Sequence, residues 1–135
     1  MGKTLSEKIL GEHSGGEVAA GDMVVAVVDV AFIQDTTGPL AVRQFRAAGF
    51  GGIAESVGAA AFLDHAAPSS TREMANDHIL LRDFAGETGC RLFDVGDGVC
   101  HQLVAERLAR PGDLVVGSDS HTVTAGGLGA FACGM

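Results

Sequence analysis

The sequence predicts an α/β layered domain, a largely parallel sheet flanked by helices, and three observations carry that prediction. Four short runs rich in β-branched and small apolar residues alternate with segments of helical spacing, the pattern of strand–helix–strand units. Glycine, proline and capping residues punctuate each change of period. No repeat, low-complexity tract or linker interrupts the 135 residues. Residues 1–135 therefore read as a single domain with a real core.

The elements follow in order. Thr4-Leu5-Ser6-Glu7 has capping-box spacing and opens a helix through Leu10. Gly11–Gly21 is polar and glycine-containing, a loop in which His13 has no chemical role. Met23–Ala31 is almost continuously apolar, as expected of a strand covered on both faces. Gln34-Asp35-Thr36-Thr37-Gly38-Pro39 breaks it, and Pro39 suits the first turn of a helix that carries Leu40, Val42, Phe45 and Ala48 toward Gly49. Ala59–Leu63 is the second strand, ended by Asp64-His65.

Ser70-Thr71-Arg72-Glu73 is another capping box. Its helix is predicted to turn Met74, Ile79, Leu80 and Phe84 inward, leave Asp77-His78 on a solvated face, and close near Gly86–Gly89. Arg91–Val95 forms the third strand, followed by the Gly96–Gly98 turn and a helix from His101 to Ala109. Pro111-Gly112 breaks that helix, and Leu114–Val116 is the fourth strand, ending at Ser118-Asp119. Beyond Gly126-Gly127-Leu128-Gly129 the chain reads as an opening helix still unfinished at Met135, the pattern expected of an N-terminal fragment.

Composition narrows the function classes. With 47% hydrophobic and 19% charged residues the chain is globular. A formal net charge of −8 leaves no basic patch for nucleic acid. The apolar run Met23–Val28 falls far below the ~20 residues that span a bilayer, and no leader-like apolar stretch opens the chain. Cys90, Cys100 and Cys133 are odd in number and lack a CxxC pair, which fits a reducing, cytoplasmic setting and gives no metal or cluster site by themselves.

In open α/β sheets ligands gather beyond the carboxyl ends of the strands. Gln34-Asp35, Asp64-His65, Asp97 to His101 and Asp119-Ser120-His121 each follow a predicted strand, so one pocket can collect all of them. Asp64-His65 sets a carboxylate beside an imidazole, which orients the ring and prepares a general acid; a plain turn explains the dipeptide as well. His101 opens a helix, where capping competes with chemistry. Ser120-His121 offers a hydroxyl beside an imidazole but lacks the G-x-S-x-G elbow of a hydrolase. Gly126–Gly129 suits either an anion cradle or tight packing.

Five strings taken together are specific: Thr4-Leu5-Ser6-Glu7-Lys8-Ile9-Leu10, Gln34-Asp35-Thr36-Thr37-Gly38-Pro39-Leu40-Ala41, Asp64-His65, Asp94-Val95-Gly96-Asp97-Gly98-Val99-Cys100-His101-Gln102, and Arg110 through Thr122. In this order, and followed by Gly126-Gly127-Leu128-Gly129, they resemble the aconitase superfamily, in its 3-isopropylmalate dehydratase and homoaconitase branch, from about Leu5 to Met135. The resemblance implies a hydro-lyase that removes water from a hydroxy di- or tricarboxylic acid and adds it back, in leucine biosynthesis for the first of those enzymes. It implies Asp64 and His65 as the acid pair that protonates the departing hydroxyl. His101 and Asp119 become a second imidazole–carboxylate pair, His121 a partner of metal-bound water or hydroxide, and Gln34 and Ser120 substrate contacts. It also implies a [4Fe-4S] cluster in the complete enzyme, held by cysteines absent from this chain, and a separate small swivelling subunit as partner in a heterodimer. The fragment alone is then expected to be inactive. A non-catalytic binding module is the reading of another class.

Overall fold

In the computed structural model, which describes residues 2–135, Thr4 starts helix α1 (Leu5–Ser14) by a reciprocal cap. Its hydroxyl accepts from the Glu7 amide at 3.2 Å, and the Glu7 carboxylate accepts from the Thr4 amide at 2.7 Å. The helix runs past the expected stop at Leu10 to a left-handed Gly15 cap. Gly11 is therefore helical and buried rather than looped.

The first strand is displaced from its predicted place. Met23 is 100% and Val25 94% exposed, and neither belongs to a strand. Strand β1 is instead Val30–Gln34, paired in parallel with β2 (Gly58–Phe62) on one side and β4 (Leu114–Gly117) on the other. The reason is that ladder partners decide a strand and apolar composition alone does not. Val30 and Phe32 meet partners on both sides, whereas Val27 donates its amide to the His13 carbonyl.

Strand β3 (Arg91–Phe93) pairs outside β2. It stops before Val95 because Asp94 folds into a turn: Val95 N donates to Asp94 Oδ1 and Asp94 N to Asp97 Oδ2. Beyond Leu128 the sequence expectation of a helix is overturned. Ser120–Leu128 is a 3₁₀ helix, and Phe131–Gly134 forms β5, registered on β4 from Leu114↔Phe131 to Gly117↔Gly134. A four-residue strand of mixed small residues has too little periodicity to announce itself. The result is a five-stranded, all-parallel sheet of order β3-β2-β1-β4-β5.

Side chains alternate across this sheet and build two cores. On one face Phe32, Phe62, Phe93 and Val115 pack with Cys100, Leu103 and Val104 of α4 (Cys100–Arg107). Phe62 and Phe93 stack at 4.7 Å there. On the other face Val42 of α2 (Gly38–Ala47) and Leu81 and Phe84 of α3 (Arg72–Thr88) close over Ile33 and Leu92. Thr71, not Ser70, caps α3. The buried positions of α3 are His78, Leu81, Phe84 and Ala85, while Ile79 is exposed. Spacings of three residues put His78 on the same face as Leu81 and Phe84, so the solvated face expected for it is corrected.

At the amino edge of the sheet Asp29 ties three elements together. Its Oδ2 accepts from the Leu114 amide at 2.7 Å and lies 2.5 Å from His13 Nε2. The other ring nitrogen of His13 lies 2.7 Å from the Ile9 carbonyl. His13 thus belongs to the last turn of α1 and has a structural task.

Candidate active site

The chain leaves β1 toward β2 on one side and later crosses back to place β4 on the other. The carboxyl ends of β1 and β4 form a topological switch point, where open α/β sheets hold ligands. Hydrogen bonds bridge it. Ser118 N donates to the Phe32 carbonyl, Gln34 N donates to Ser118 Oγ, and the Thr37 and Ser118 hydroxyls meet at 2.6 Å.

Two carboxylates organise three histidines at this edge. Asp64, in the turn after β2, accepts from His65 Nδ1 at 2.9 Å through Oδ1 and from the Cys100 amide at 2.6 Å through Oδ2. Val99 gives α4 no side-chain cap, so Asp64 satisfies that helix start from another part of the chain. Asp119 caps the 3₁₀ helix by accepting from the His121 amide through Oδ1. Its Oδ2 lies 3.1 Å from His101 Nε2 and 3.4 Å from His65 Nε2. The second distance exceeds an ordinary N–H···O bond and leaves His65 Nε2 uncommitted. The rings of His65, His101 and His121 follow one another edge to face at 5.7 Å, and Phe32 supports His101 from the core side.

A pocket of about 550 Å³ opens onto this network, lined by Gln34, Thr36, Thr37, His65, Asp119, Ser120 and His121 among others. Gln34 is buried, and its Oε1 accepts from both the amide and the hydroxyl of Thr36. Its NH₂ group is what remains to offer a ligand. Ser120 and His121 are exposed at the mouth. Asp64 and His101 contact the ligand-facing residues from behind. Thus the seven residues singled out from the sequence converge on one sheet edge. The Gly126–Gly129 segment lies within and just after the 3₁₀ helix and does not line this pocket.

The three cysteines lie apart and form no cluster site among themselves. Cys90 packs on the α2/α3 face, Cys100 is buried in the opposite core, and Cys133 lies in β5. Burial, reinforced by Asp64 and Asp119, pushes the Cys100 thiol well above its ordinary range, whereas the thiolate is the form that binds metal. His65, Cys100, His101 and Asp119 do bring potential ligand atoms within 4.8 Å of one another.

Sequence reasoning placed Asp35 at this edge but missed its partner, His78. Asp35 and His78 are buried against each other, with His78 Nε2 donating to Asp35 Oδ2 at 2.9 Å. The i, i+3 relation of His78 to Leu81 was the available signal.

Residues 7–135 match the profile of the aconitase family (aconitate hydratase). The chain is 53% identical over 135 residues to 3-isopropylmalate dehydratase large subunit 1 of Thermotoga maritima, covering all of this chain and 32% of that protein. It is 50% identical to the 3-isopropylmalate dehydratase large subunit of Elusimicrobium minutum, again over all of this chain and 32% of the relative. Large subunit 2 from Archaeoglobus fulgidus is 48% identical over 139 residues, with 32% of its length covered. The chain therefore spans about a third of the length of these relatives.

Proposed function

From the premise that this chain belongs to the aconitase family, we propose that it is the portion of a 3-isopropylmalate dehydratase large subunit that carries the acid–imidazole site. The reaction is reversible removal of water from a hydroxy dicarboxylic acid in leucine biosynthesis. The complete enzyme works in the cytoplasm with a small swivelling subunit. Among the described residues, no helix is long and apolar enough to cross a membrane.

The observation that carries the reading is His65 held by Asp64 at Nδ1, with Asp119 3.4 Å from a free Nε2. Asp64 fixes the ring and takes up the charge of its protonated form, while the loosely held Nε2 proton is available to a departing hydroxyl in the pocket. Asp119 also orients His101, so one carboxylate couples two rings. Gln34 and Ser120 offer donors to a substrate carboxylate, and His121 faces the same space. The [4Fe-4S] cluster this reading implies supplies Lewis-acid chemistry, and its thiolate ligands lie outside this chain. The base for the carbon-bound proton and the carboxylate-binding arginines belong to the partner subunit.

Steady-state kinetics of His65→Gln in the complete, cluster-loaded enzyme tests the proposal. A general acid acts as the C–O bond breaks, so kcat should fall by roughly 10²–10⁴-fold with KM changed far less. Normal kcat in that variant would sink the assignment.

A further inference from the structure

We propose that Asp35 and His78 form a buried positioning device that sets the backbone of the Asp64–Ala66 turn and thereby aims the His65 ring. The proposal rests on the reading of His65 as the general acid. Its role in holding the turn, however, is measurable without any substrate.

Asp35 follows β1 directly, yet its side chain is 0% exposed and takes no part in lining the pocket. A buried carboxylate is costly unless donors satisfy it, and this one has three. Oδ1 accepts from the His65 amide at 3.0 Å, and Oδ2 accepts from the Ala66 amide at 3.0 Å and from His78 Nε2 at 2.9 Å. Two consecutive amides on the two oxygens of one carboxylate fix the peptide planes on both sides of residue 65. Together with the Asp64 contact to Nδ1, they determine both where the His65 ring starts and which way it faces.

His78 completes the device from a different layer. It comes from α3, its side chain is 5% exposed, and it reaches Asp35 beside the core formed by Leu81 and Phe84. Asp35 itself cannot rotate to compensate for loss of His78 without releasing the Ala66 amide, because the same oxygen serves both. A helix face with no access to the pocket therefore sets the pose of the acid. Small misplacements of reacting groups cost rate far more than they cost binding.

The test uses full-length holoenzyme with the small subunit and matched cluster content, in three forms: wild type, His78→Leu and His78→Gln. Leu fills the space without a donor, and the Gln amide can place a nitrogen near the position of Nε2. His78→Leu should lower kcat by about 10–100-fold with KM within about twofold. It should also speed amide hydrogen exchange in peptides that contain residues 64–66 while those from α1 are unchanged. His78→Gln should restore kcat to within a few fold and return the exchange to the wild-type rate. Normal kcat in His78→Leu, unchanged exchange at residues 64–66, or failure of Gln to rescue would overturn the proposal. If His78→Leu does not fold, His78→Asn, polar but too short to reach Asp35, replaces it under the same criteria. Should none of the forms dehydrate the hydroxy acid, the functional reading fails while the exchange data still decide the positioning role.

Discussion

Gly117, at the end of β4, shows how tightly single positions are specified around the site. A Cβ there would stand 2.2 Å from Thr122 Oγ1 and 2.6 Å from Phe32 Cζ. One atom in that space collides with the hydroxyl that hydrogen bonds the Asp119 carbonyl and with the ring beneath His101. Gly134 is equally closed, because its Cβ would lie 2.0 Å from the Asp119 carbonyl oxygen. Gly117→Ala should destabilise the protein by about 1–3 kcal/mol and disturb the Asp119–His101 contact, as read by thermal unfolding together with the NMR shifts of the His101 ring. An unchanged melting temperature would show that the strand end yields more easily than its packing implies. At this scale the Gly-Ser-Asp-Ser-His-Thr string was legible as chemistry because its residue types are chemical. The reason for its glycine was not legible, since Phe32 is remote in sequence and meets it only across the sheet.

At the scale of elements, α1 is fastened to the sheet by His13. Both ring nitrogens face acceptors, Ile9 O and Asp29 Oδ2, so the ring must be protonated to satisfy them. The Ile9 carbonyl and then Asp29 hold its pKa above the ordinary value against the opposing effect of burial. A raised folded-state pKa contributes stability that is fully present below the unfolded value of about 6.5 and is lost as pH rises through the folded value. His13→Ala should therefore lower stability at pH 6 by roughly 1–3 kcal/mol. The gap to wild type should narrow above neutrality in denaturation curves taken across pH, and a gap independent of pH would refute a charged ring. On the acid side, Arg82 holds Asp94 down to about 2, so the stability from that exposed pair should fade as pH drops from about 4 toward 2. Helices were legible because capping boxes and threefold or fourfold spacing are local. The displaced β1 and the missed β5 were not, because strands are settled by neighbours far away in sequence. The buried His78 was misplaced where a dipeptide was read without its helical phase.

Across the whole molecule, the two sheet faces are unequally covered. An apolar groove runs beside α2, lined by Val28, Ile33, Phe45, Ile53, Val57 and Val116 among others, and Met23, Val25 and Val27 are exposed nearby in the chain. Exposed apolar surface of this kind binds hydrophobic probes. The 135-residue chain should enhance anilinonaphthalene sulfonate fluorescence, and Val25→Glu should reduce the signal without lowering the melting temperature. A dark probe with the wild-type chain would mean the surface is covered in solution.

Strand β1 is bracketed by two aspartates, one residue before it and one after. Asp29 gathers His13 and Leu114 at one end, and Asp35 gathers His65, Ala66 and His78 at the other. The fastening of α1 and the shape of the His65 turn are in that way entrusted to opposite ends of a single five-residue strand. Substitutions around Asp29 should therefore change heat tolerance while leaving the His65 turn at the far end of the strand undisturbed.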